Sequence, residues 1–97
     1  MSIGVAIGKI AQYTSRMEQV EGQIAAAEAD FQLLGLAALG SGHPVDPLKA
    51  EQIKVRIAVL KFLVGFYKDA VQFWQDVIKE TLQFLKSLND LAKGASG

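Results

Sequence analysis

A chain of 97 residues has room for one domain and no more. With 10 Lys+Arg against 10 Asp+Glu it has no net charge to draw it to nucleic acid or an anionic membrane. Having no cysteine, it has neither disulfides nor thiolate metal sites.

Hydrophobic residues make up 51% of the chain. A chain this short buries only about 60–65% of its unfolded surface on its own, so that much apolar material points to partners that cover the rest. The segment before residue 40 carries Lys9 and Arg16 against Glu18, Glu21, Glu28 and Asp30, and the remainder is basic by a similar margin. The two halves are thus electrostatically complementary.

The opening residues Met1, Ser2, Ile3, Gly4, Val5, Ala6, Ile7 and Gly8 are apolar, but no basic residue precedes them and Lys9 interrupts them. No cleavable signal peptide is expected there. From Ile3 onward a seven-residue series runs through Ile10, Met17, Ile24, Phe31 and Ala38. A companion series three positions later holds Ala6, Tyr13, Val20, Ala27 and Leu34. These are the a and d positions of a coiled-coil seam, and they predict a helix over about 2–39. Gly22, Ala25, Ala26, Ala29 and Gly35 would let another backbone come close, and Gly4 with Gly8 resembles a close-packing motif.

The one dense cluster of helix breakers is Gly40-Ser41-Gly42-His43-Pro44-Val45-Asp46-Pro47. Gly40 can end a helix with positive φ, and Asp46-Pro47 reads as an N-cap with a first-turn proline. The hairpin turn is therefore placed over 40–46 and assigned to Gly40, Gly42, Pro44, Asp46 and Pro47.

A second helix over about 47–92 follows. Its a series is Ile57, Val64, Val71, Ile78, Leu85 and Ala92; its d series is Ile53, Leu60, Tyr67, Trp74, Thr81 and Leu88. A strict seven-residue phase implies left-handed supercoiling. The g positions Leu63, Ala70, Val77, Phe84 and Leu91 are apolar as well, and so are the c positions Val59, Phe66 and Phe73. Together these rows span an arc of about 160°, whereas one seam needs only the a/d stripe. Lys54, Lys61 and Lys68 on e, and Asp69, Asp76 and Asp90 on f, mark a solvated face, with Phe62 as an apolar intruder on f. An antiparallel hairpin leaves roughly the last two turns of the second helix unpaired, and a frayed tail is expected over 93–97.

The fold class is therefore all-α: a two-helix antiparallel, coiled-coil-like hairpin in a single domain over 1–97 that packs into a larger helical assembly. The expected assembly interface comprises Val59, Leu63, Phe66, Phe73, Val77, Phe84, Leu88 and Leu91.

Chemistry is sparse. His43 is the only histidine, sits in the loop and reads as a solvated residue. Glu18, Glu21 and Glu28 form an acidic strip without the facing Glu-x-x-His pair that a carboxylate metal site requires. Gly40-Ser41-Gly42 lacks the strand and Gly-Lys-Ser/Thr of a phosphate loop. No catalytic residue, metal site or cofactor is assigned, and the chain is not expected to be an enzyme. No stretch reaches the roughly 18 uncharged residues of a membrane span; the best, over 57–74, is broken by Lys61, Lys68 and Asp69.

Pro44-Val45-Asp46-Pro47, the long apolar helix after it, and Gln75-Asp76-Val77-Ile78 some thirty residues on resemble the small needle, inner-rod and filament subunits of bacterial type III secretion systems over roughly 44–85. The resemblance implies a helical hairpin that polymerises around a secretion channel, and an export route to the bacterial surface or beyond it through that dedicated system. Gln75 stands where the family usually has lysine. Ile57-Ala58-Val59-Leu60 replaces the usual tyrosine-rich step, the first helix is more regular and apolar, and the chain runs past the expected end through Ser87 to Gly97. The expected function is a self-assembling structural subunit with copies of itself, or other helical proteins, as partners. The alternatives are a hetero-interaction module such as a secretion chaperone or adaptor, and a membrane-active, pore-forming or translocator-like hairpin.

Overall fold

The computed structural model describes residues 3–96. Two helices, α1 (Ile3–Ser41) and α2 (Pro47–Ser96), account for nearly all of them, and they pack antiparallel along their length. The molecule is a rod with extents of 84 × 16 × 16 Å and a radius of gyration of 23.2 Å; a compact chain of this length would have about 12.5 Å.

Local chemistry explains both helix ends at the bend. Asp46 caps α2: the Leu48 N–H donates to Asp46 Oδ1 at 3.0 Å, and the Ala50 N–H donates to the Asp46 carbonyl at 3.1 Å. Pro47, with no N–H to satisfy, takes the first helical position. At the end of α1 the structure corrects the expected stop. The helix passes through Gly40 and ends at Ser41, and Gly42, at φ +72°, makes the left-handed cap. Its N–H donates to the Ala38 carbonyl at 3.0 Å. A helical glycine costs only about 1 kcal/mol, so Gly40 need not stop the helix when Gly42 can do so two residues later. The Ser41 hydroxyl donates to the Ala38 carbonyl at 3.4 Å and accepts from the His43 N–H at 3.2 Å.

The far end of α2 also differs from expectation. The helix continues through Lys93, Gly94 and Ala95 to Ser96 rather than fraying from 93, because one glycine is again the only poor helix former there. Residue 2 and Gly97, touched by the expected helix start and tail, lie outside the described residues.

The seam follows the heptads. Ala6, Val20, Ala27 and Leu60 are buried, all of them at d. Ile10, Tyr13, Met17, Ile24 and Leu34 on α1 are half-buried, as are Ile53, Ile57, Val64, Tyr67, Val71, Trp74 and Ile78 on α2. Phe31, although at a, is exposed. The rings of Tyr13 and Tyr67 lie 6.0 Å apart across the seam, and Lys61 Nζ approaches Glu28 Oε1 at 4.0 Å beside it. That ion pair is solvent-exposed on both sides and adds little stability, but it sets Glu28, from the acidic e row of α1, opposite Lys61, from the basic e row of α2. Of the small residues expected to allow a close approach, only Gly35 is half-buried in the hairpin. Gly22, Ala25, Ala26 and Ala29 lie exposed on the outer side of α1, and a Cβ added at Gly8, Gly22 or Gly35 would meet nothing within 4 Å. Ala6 and Ala27 are the small residues that the seam does bury.

Candidate assembly interface

The c row of α2 carries one large apolar side chain per two turns, and a second helix packed on a and d leaves that row facing outward. Val59, Phe66 and Phe73 are accordingly exposed, the two phenylalanines at 58% each. Leu63 and Val77, on the g row nearer the seam, are half-buried by α1. Phe84, Leu88 and Leu91 lie past the region that α1 covers and are exposed. The eight expected interface residues thus fall along one side of α2, in two stretches.

The phenylalanines are held in place. Phe66 meets Tyr67 edge-on at 5.7 Å, and Phe73 meets Trp74 at 5.3 Å and 83°. Each exposed ring leans on a half-buried seam aromatic, a geometry that favours the contact beyond area alone and limits the rotamer freedom lost on further association.

The apolar surface is wider than the expected set. Phe62 is 76% exposed, and Leu48 and Val55 sit on the same f row at seven-residue intervals and are exposed too. Near the bend, Leu33, Leu36 and Leu39 on α1 are also exposed. The spacing of Leu48, Val55 and Phe62 was the available signal; it was obscured because the same row turns acidic at Asp69 and Asp76.

Register decides what lies past the seam. The Tyr13–Tyr67 and Glu28–Lys61 contacts bracket an alignment that sets Ile3 level with about Thr81. Thr81 is the last half-buried residue of α2, and every residue over 82–95 is exposed. The overhang is therefore about four turns rather than the expected two. One added turn comes from the continuation of α2 to Ser96. Another comes from the bend, where α1 overshoots the start of α2 and leaves Leu39 81% exposed.

The remaining features are plain. His43 is exposed at the rim of a shallow groove between Leu39 and Val45. Among the described residues there is no group of His, Cys, Asp or Glu that could hold a metal ion, and no helix is long and apolar enough to cross a membrane. Gln72 Nε2 donates to Asp76 Oδ1 at 3.0 Å, and the Thr81 hydroxyl donates to the Val77 carbonyl at 2.8 Å. These polar side chains are satisfied within α2.

Comparison with protein-family models, curated proteins and solved structures finds no match for the chain. The class of molecule the fold defines is an extended helical hairpin.

Proposed function

We propose that this protein is a non-enzymatic structural subunit that self-assembles through the uncovered side of α2. The observation that carries this reading is the apolar flank of Phe62, Phe66 and Phe73, left exposed beside the seam that α1 covers. The scale supports it. The accessible surface is 7199 Å², against about 5,400 Å² for a compact monomer of this mass. The excess of about 1,800 Å² is twice the roughly 800 Å² that each partner gives to a standard interface. The rod therefore has room for more than one such contact, as a repeating assembly requires.

Within that reading, the Pro44-Val45-Asp46-Pro47 turn and the apolar helix after it favour a needle, rod or filament component of a bacterial secretion apparatus, exported by that apparatus. Negatively stained micrographs of the purified protein test the assembly; filaments are expected, and uniform small particles at every concentration count against it. Disabling the export machinery in the source bacterium tests the route. The protein should then be lost from the culture medium, and undiminished export would remove the secretion assignment while leaving self-assembly intact.

A further inference from the structure

The overhang of α2 is not merely a free end. Over 82–95 the heptad phase of the seam continues without a skip: Leu85 and Ala92 hold a, Leu88 holds d, Leu82 holds e, and Phe84 and Leu91 hold g. All of them are exposed. The seam thus carries on for about four turns beyond the point where α1 stops covering it. A d-row leucine on this stretch has the same helical position as Leu60, which is 7% exposed where α1 covers it.

The charge pattern says what kind of helix fits. In the covered part, the flanking e row of α2 carries Lys54, Lys61 and Lys68, with Lys61 opposite Glu28, from the acidic e row of α1, at 4.0 Å. In the overhang the flanking rows carry no charge. The e positions are Leu82 and Asn89, the g positions are Phe84 and Leu91, and the charges stand on the outer rows, Lys86 and Lys93 on b and Asp90 on f. Nothing there calls for an oppositely charged partner, and nothing repels an identical helix.

We propose that two copies join tail to tail, the 82–95 segments pairing antiparallel about a two-fold axis near Leu88 and Asn89. In that arrangement the second copy's tail continues the track that α1 occupies lower down and comes to rest beyond the α1 N-terminus. The two-fold makes the contact self-complementary. The proposal rests on the self-assembly reading but uses different residues from the Phe66 and Phe73 flank. A strip about 21 Å long and 10 Å wide covers only about 200 Å² per partner, below the roughly 800 Å² of a standard interface. The tail contact is therefore weak and concentration-dependent alone, and tightens where the flank engages as well.

Single cysteines report the geometry cleanly because the chain has none. Leu88→Cys should form a disulfide-linked dimer under mild oxidation. Leu82→Cys alone should not, because antiparallel pairing sets its two copies about 20 Å apart, beyond the roughly 7 Å limit between bridged Cα atoms. Mixing Leu82→Cys with Ala95→Cys should give the mixed dimer. Equal self-cross-linking of Leu82→Cys and Leu88→Cys, or none at either, overturns the proposal. The Phe66→Ser/Phe73→Ser double variant separates the two surfaces in sedimentation. It should still form dimers at high concentration, and adding Leu88→Asp should weaken them at least tenfold. A double variant that is monomeric throughout, from a wild type that assembles, rejects the tail contact and leaves the flank reading standing. A wild type that never associates rejects both.

Discussion

The bend is set by a few residues whose roles separate under substitution. Gly42 adopts φ +72°, where a side chain is strained, whereas Gly40 lies in regular helix with open space around the site of its missing Cβ. Gly42→Ala should therefore destabilise the hairpin by about 1 kcal/mol, and Gly40→Ala should stabilise it by about 0.5–1 kcal/mol. Urea titration followed by circular dichroism reads both, and matching signs would contradict the assignment of the cap. Asp46→Ala removes the acceptor for the Leu48 N–H and should cost about 1 kcal/mol, with Asp46→Asn retaining most of it. At this scale Asp46 and Pro47 were legible because cap chemistry is local. The choice between Gly40 and Gly42 was not, since either glycine can adopt the left-handed conformation and the turn geometry decides.

Between the two helices, the division of labour on α2 is the testable feature. Leu60 is one of the few buried side chains, and among the described residues no large one is fully buried, so the seam has little stability to spare. Leu60→Ala should cost about 2–4 kcal/mol and lower the thermal midpoint sharply. Phe73→Ser removes a ring that is 58% exposed and should leave the helical signal nearly unchanged while weakening association. Equal unfolding of both variants would show that seam and flank are one surface. The heptads made the seam legible in advance: Ile10, Val20, Ala27, Leu60, Tyr67 and Val71 all turn inward. The length of the overhang was not legible. It depends on the axial slide of one helix past the other, which the hydrophobic repeat leaves open in steps of one heptad and the loop geometry then fixes.

The whole molecule is a thin rod, 84 Å long and 16 Å across, and a rod two helices thick has no interior in which to hide a second apolar face. The large side chains beyond those needed for the seam remain on the surface: Phe62, Phe66 and Phe73 along the middle, Leu33, Leu36 and Leu39 by the bend, Leu85, Leu88 and Leu91 on the overhang. Patches of this extent mark interaction sites in folded proteins. Covering only the flank while leaving the overhang bare would give lateral pairs, whereas engaging both would extend the assembly along its axis. The most direct measurement is sedimentation velocity of the wild-type chain over a hundredfold range of concentration, beside the Phe66→Ser/Phe73→Ser variant. Self-assembly predicts a wild-type sedimentation coefficient that rises with concentration and a variant that stays at dimer or below. A single 10.5 kDa species at every wild-type concentration would contradict it.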